Sequence, residues 1–266
     1  LQWICPIFKR DSHALAGNYR GVHLTSIVSK LVEKLIGSAM FSFVENAGGY
    51  GPRQFAFRRR HSAQDVLAFI CALWILALWR KIKIGVYGSD IKGAFDRVDY
   101  HLMINKCKVA GLHGRAIAFL EALLSKRQAV VVVNGEKSDP MVLENTVLQG
   151  SVTGPSLWNL FFADVHFAVA DQDFFEIIFA DDLNSFKCFA ADVSNQAIKD
   201  QLSNCQLEVH AWGKLNRVEF EASKEFFAIL HRSQGEGNVF KILGVQFDHG
   251  LYMSHCIRKI KRECGW

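Results

Sequence analysis

The stretch "FEIIFADDLNSF", residues 175–186, decides how this chain is read. Ile177, Ile178 and Phe179 lead through Ala180 into two adjacent carboxylates, Asp181 and Asp182, after which Leu183 and Phe186 resume the apolar pattern. Two strand-like runs joined by acidic residues predict a β-hairpin. Asp is a common turn residue because its side chain bonds nearby backbone, so a tip with two exposed aspartates needs no function. The alternative is that two acidic side chains at a tight strand junction hold a divalent cation. That alternative requires a third carboxylate elsewhere in the chain.

The 266 residues suffice for one large domain or two small ones, and half of them are hydrophobic, which excludes wholesale disorder. The formal charge of +5 is compatible with a polyanionic partner. Basic residues cluster at Arg58–Arg60 and at Arg258, Lys259, Lys261 and Arg262. Seven scattered cysteines, with no CxxC pair, argue against a disulfide framework and predict reduced thiols in an intracellular protein. His255-Cys256 is too isolated for a zinc site. No signal peptide is expected, and the most apolar run, Val66 to Trp79, is shorter than the roughly 18–20 residues that span a bilayer. That run reads as a buried core helix, so no membrane is expected.

Apolar spacing predicts helices over 24–44, 62–79 (with Ser62 as N-cap), 101–112, 115–126, 155–169 and 192–214. Strands are expected at 83–90, at 128–138 with an Asn134-Gly135 turn, and near 226–231 and 239–247. Mixed helices and hairpins predict an α+β architecture and not a repeating parallel βαβ sheet. The third carboxylate is Asp90, at the end of the strand in "VYGSDIKGAFDRVD". Three carboxylates meeting at adjacent strand ends repel one another unless cations intervene. Hard oxygen donors select Mg²⁺ or Mn²⁺ over zinc, and two such ions can activate one oxygen and stabilise another.

At this point the chain resembles a known family. "DIKGAFDRV" (90–98), "LQGSVTGPSLWNLFF" (148–162) and "FADD" (179–182) stand in the order of the palm motifs of a reverse transcriptase, in the style of non-LTR (LINE-type) retrotransposons. "CPIFKRDSHALAGNYRGVHLTSIVSKLVEKLI" (5–36) is similar to the fingers motif of that group, and "RQFAFRRRHSAQDVL" (53–67) to the motif that follows it. "WGKLNRVEFEASKE" (212–225) and "ILGV" (242–245) resemble the last palm motifs.

The resemblance implies a right-hand polymerase: a fingers-like region at 1–80, a palm at 81–250 built on an antiparallel sheet backed by helices, and a truncated thumb-side segment at 251–266. It implies RNA-directed DNA polymerase activity, with dNTP added to a primer 3′-hydroxyl on an RNA template. Asp90 and Asp181 become the principal ligands of two Mg²⁺ or Mn²⁺ ions, with Asp182 as the adjacent acidic partner. Lys9 or Arg10, and Arg20, fall where the fingers grip the triphosphate. Gly93 and Ala94 let the backbone approach phosphate, and Phe95 falls at the position that excludes a 2′-hydroxyl. Gln149 and Gly150 contact the nucleotide and template. Lys224 lies near the triphosphate, and Leu243, Gly244 and Val245 lie near the primer terminus. Asp96 is expected to form structural hydrogen bonds. Nuclear access follows from the same resemblance.

Three departures qualify the likeness. Lys224 is followed by Glu225, where the family carries Thr, which puts a negative charge beside the triphosphate path. The 66–79 helix is more apolar than the family's and is expected to be covered by a missing segment or a partner. No thumb is recognisable beyond 250, so thumb and endonuclease segments are expected to belong to a larger polyprotein. Two other readings stand open: an inactive retroelement remnant that only folds or binds nucleic acid, and an RNA-dependent RNA polymerase, against which Phe95 argues.

Overall fold

The structure, a computed structural model, describes residues 2–9, 11–125, 127–143 and 147–264. In chain order its elements are β1 (Gln2–Phe8), β2 (Tyr19–Leu24), α1 (Ile27–Asn46), α2 (Ala63–Trp79), β3 (Lys83–Ser89), α3 (Tyr100–Val109), α4 (Gly114–Leu124), β4 (Arg127–Val133), β5 (Glu136–Lys137) and β6 (Met141–Leu143). There follow α5 (Gly154–Phe162), α6 (Val165–Ala170), β7 (Phe175–Phe179), β8 (Asp182–Phe189), α7 (Asn195–Leu215), β9 (Phe226–Leu230), β10 (Phe240–Ile242), β11 (Val245–Phe247) and α8 (Ser254–Glu263). The α+β class expected from the sequence is the one observed. The elements form two compact units interleaved along the chain: Leu1–Gly51, Gly93–Ala163 and Asn216–Val218 make the first, and Pro52–Lys92, Asp164–Leu215 and Glu219–Trp266 the second.

The first unit carries a sheet in the order β2-β1-β4-β5, with β6 also paired to β4. Strand β1 runs antiparallel to β2 and parallel to β4. The Asn134-Gly135 turn joins β4 to β5 with both residues at positive φ (51° and 86°), which is why that dipeptide signals a hairpin. Strands β1 and β2 escaped the sequence reading because neither alternates cleanly: β1 has no fully buried residue and β2 has one, His23.

The second unit is built on an antiparallel sheet in the order β7-β8-β3-β9. All seven residues of the central strand β3 are buried, as its near-continuous apolar run requires. Helix α2 packs on this sheet through Val66, Ile70, Trp74, Ala77 and Leu78, spaced as one helical face. Trp74 lies edge-on to Phe186, Phe240 and Phe247 at centroid distances of 5.8, 6.3 and 5.7 Å. Ser62 caps α2 as expected, within a reciprocal capping box: its hydroxyl accepts the Asp65 N–H, and its own N–H donates to the Asp65 carboxylate.

Three expectations need correction. Helix α2 is not buried all round: Phe69, Ile75 and Trp79 are 39, 54 and 77 % exposed, because a helix laid on one sheet covers a single stripe however apolar its other side is. The helix expected over 155–169 is two, α5 and α6, broken at Ala163-Asp164; Asp164 accepts the indole N–H of Trp212 from α7 at 2.8 Å. The strand expected over 239–247 is the two-stranded hairpin β10–β11. No helix among the described residues is long and apolar enough to cross a membrane. All seven cysteines are free thiols.

Candidate active site

The FADD stretch forms the predicted hairpin. Phe179 pairs with Asp182 across a two-residue turn of Ala180 and Asp181. The register of β3 on β8 ends with Ser89 opposite Leu183, so the next residue along, Asp90, comes level with Asp182. The three carboxylates singled out from the sequence are therefore gathered at one end of one sheet. Their mutual effect is visible on Asp182. Burial pushes its carboxyl up to about 6, the charges of Asp90 and Asp181 add to that, and Lys224 opposes it. A carboxylate crowded by two others favours its proton unless positive charge is supplied.

Lys224 is the positive charge in place. Its ammonium donates to Asp90 Oδ2, a bond that raises the pKa of the lysine. The backbone brings it there: Asp90 O accepts the Glu221 N–H at 2.8 Å, Ile91 bridges Phe220, and the Lys224 N–H closes a turn onto Glu221 O at 2.8 Å. Among the described residues no three His, Cys, Asp or Glu side chains form a ready-made cation cage. The carboxylates couple electrostatically, with the lysine bonded to one of them.

Glu225 does not do what its position in the sequence suggests. Its carboxylate accepts from the Tyr87 hydroxyl at 2.5 Å, Gln206 Nε2 at 3.1 Å and His210 Nε2 at 2.8 Å. Successive residues at the entry to β9 thus serve different partners, Lys224 on Asp90 and Glu225 on Tyr87 and α7. Its negative charge is engaged by three donors.

The first unit collects another set of the residues expected to bind nucleotide. Lys9 follows β1 and Arg20 lies on β2. Both pull down the Asp96 carboxyl, which the protein packed around it pushes up more strongly although its residue keeps solvent contact. Gln149 Nε2 donates to Asp96 Oδ2 at 3.3 Å. Gly93, at φ +64°, precedes the short 3-10 helix Ala94–Arg97; Ala94 is buried. Phe95 is half-buried and stacks on Trp158 at 5.8 Å. Gly150 has φ +103°, and a Cβ there would lie 2.9 Å from His23 O, so only glycine fits the turn. Arg10 lies outside the described residues. In the second unit, Leu243 and Gly244 (φ 48° and 87°) form the β10–β11 turn, and Val245 opens β11.

Two residues were missed. Glu33 of α1 is buried, and its Oε2 accepts from the Val152 N–H, the Thr153 N–H and the Thr153 hydroxyl at 3.1, 3.3 and 3.0 Å, holding the loop that opens α5. The signal was available: Glu33 shares the stripe of Gly37, Met40, Phe41 and Val44, where a carboxylate needs buried donors. Gln54 is buried and bonds both backbone groups of Ala180. No spacing rule marks a buried glutamine. Ala180 itself is held at φ +59°, a conformation costing a non-glycine residue roughly 1–2 kcal/mol.

Comparison with known proteins agrees with this geometry. The model of the family described as reverse transcriptase (RNA-dependent DNA polymerase) matches residues 7–247. The RNA-directed DNA polymerase from mobile element jockey of Drosophila funebris is 30 % identical over 148 residues, 56 % of this chain and 16 % of that protein. Its Drosophila melanogaster counterpart is 26 % identical over 263 residues, 92 % of this chain and 28 % of that protein. The chain therefore spans less than a third of the length of these relatives. Among solved structures, apo telomerase from Candida tropicalis superposes with a TM-score of 0.66 at 10 % identity, over 95 % of this chain and 48 % of that one, a likeness of fold. With the family match running from the first strand to the last, this chain belongs to the reverse transcriptase family.

Proposed function

We propose that this domain is an RNA-directed DNA polymerase, transferring a nucleotide from dNTP to a primer 3′-hydroxyl opposite an RNA template. The observation that carries the reading is the gathering of Asp90, Asp181 and Asp182 at one sheet end with Lys224 as their counter-charge. The donor set fits hard divalent cations: all-oxygen ligands, crowded enough to raise one pKa, and balanced by an ammonium. Asp90, Asp181 and Asp182 would hold two such ions, Mg²⁺ or Mn²⁺, which would supply charge to stabilise the attacking oxygen and the departing pyrophosphate. Lys224 keeps its proton while bonded to Asp90; serving as a general acid toward pyrophosphate requires its ammonium to leave that carboxylate.

The remaining roles belong to the same reading. Lys9, Arg10 and Arg20 supply positive charge for the triphosphate, with Gln149 and Gly150 at the nucleotide and template. Gly93 and Ala94 give phosphate room, Phe95 selects the deoxy sugar, and Leu243, Gly244 and Val245 attend the primer end. Residues 1–80 act as fingers, 81–250 as palm and 251–266 as the start of a thumb-side segment. The partners are an RNA template, a DNA or RNA primer and the other parts of a larger polyprotein, acting where nuclear DNA is accessible.

The test is primer extension on an RNA template with Mg²⁺ or Mn²⁺, comparing dNTP with rNTP. Asp181→Asn and Asp90→Asn keep side-chain shape and remove charge, and each is expected to abolish extension with the fold retained. Near wild-type rates in either variant, or a preference for rNTP in the unmodified domain, would overturn the assignment.

A further inference from the structure

We infer that Gln54 is a positioning residue for the catalytic hairpin: its buried side-chain amide clamps the backbone of Ala180 and so aims Asp181 and Asp182. The inference rests on the proposed polymerase reading for its consequence, but its geometry stands alone. Gln54 is 1 % exposed. Its Nε2 donates to Ala180 O at 3.2 Å, and its Oε1 accepts from the Ala180 N–H at 3.1 Å and from the Ala56 N–H at 3.0 Å. One primary amide thus satisfies both the donor and the acceptor of the residue that turns the hairpin, as a neighbouring strand would.

The turn needs such a clamp. Ala180 has a Cβ and sits at φ +59°, and a residue held in that region persists only where its surroundings over-determine it. The segment carrying Gln54 is itself fixed to β7. The Phe55 N–H donates to Ile178 O at 2.9 Å, and the Ile178 N–H donates to Arg53 O at 3.0 Å. The Arg53 guanidinium meets both oxygens of the fully buried Glu176 at 3.2 and 3.1 Å and lies 3.9 Å over the Phe175 ring. Gln54 therefore acts from an anchored backbone. Only an amide does this work: a carboxylate of the same length keeps the two acceptor bonds, loses the one to Ala180 O, and adds negative charge beside an already crowded acidic pair. A hydrocarbon of the same length loses all three bonds.

Two substitutions in the full chain test this, with hydrogen exchange as the readout independent of activity. Gln54→Met is expected to speed amide exchange in peptides spanning β7 and β8 about ten-fold while leaving α7 of the same unit unchanged. Gln54→Glu, retaining the bonds from Ala180 N–H and Ala56 N–H, should be intermediate. In single-nucleotide insertion, kcat should fall by about 10²-fold in Gln54→Met while KM for dNTP stays within about two-fold, because misaimed carboxylates impair the chemical step more than nucleotide capture. Unchanged exchange in the hairpin overturns the clamp. Equal loss of protection in the hairpin and α7 reduces Gln54 to a stability residue, and unchanged kcat removes its role in positioning. If the unmodified domain extends no primer, the polymerase reading fails while the exchange comparison still decides whether the clamp exists.

Discussion

Tyr87→Phe removes one oxygen atom from the middle of the second unit, and its effect should depend on pH in a defined way. Tyr87 is fully buried on β3, three residues before Asp90, and its hydroxyl donates to Glu225 at 2.5 Å. Its ring, edge-on to Phe227 at 5.6 Å, survives the substitution. A hydrogen bond to a charged acceptor contributes about 1.5–3 kcal/mol, so the variant should lose that much at neutral pH, or roughly 3–12 °C in Tm for a chain of this size. Burial, reinforced by Glu225, raises the pKa of the phenol far above its ordinary value. A group whose folded pKa is raised contributes stability that is whole below its unfolded pKa and is lost as pH climbs toward the folded one. Above about pH 10 the unfolded chain releases this proton and the folded chain does not, so the wild type loses about 1.4 kcal/mol per pH unit that the variant keeps. The stability gap should close near about pH 11–12. The thiol of Cys107, pushed up to about 12 by burial, weakens both proteins alike and cancels in the difference. Urea melts of both proteins across about pH 7 to 11 measure the gap. A gap absent at neutral pH refutes the hydrogen bond, and one constant up to the alkaline limit refutes the buried protonated phenol.

Two further outcomes are expected. Phe95→Val should raise the kcat/KM for rNTP relative to dNTP in single-nucleotide insertion; an equal fall for both sugars would make Phe95 only a packing partner of Trp158, which it stacks on at 5.8 Å. Trp74→Ala should cost about 3–5 kcal/mol by denaturant unfolding, since the indole is 1 % exposed and meets three phenylalanines edge-on; a loss under about 1 kcal/mol would contradict its place in the core.

The sequence by itself determined the elements whose signals are local. Ser62 announced the start of α2, Asn134-Gly135 a hairpin, and FADD a turn between two apolar strands, because capping, turn conformation and alternation are properties of a few consecutive residues. The acidic trio was legible for the same reason, each carboxylate ending or opening an apolar run. Only the tertiary structure decided where these pieces point. Glu225, one residue from Lys224, reads as interference until Tyr87, Gln206 and His210 are seen to bind it. The outer face of α2 looks as core-forming as its inner face, and only the sheet decides which is covered. Gln54 is silent in the sequence, since its partner Ala180 lies 126 residues away. A long-range hydrogen bond is set by the register of strands brought together in folding, and no local pattern encodes which backbone group a buried amide will meet.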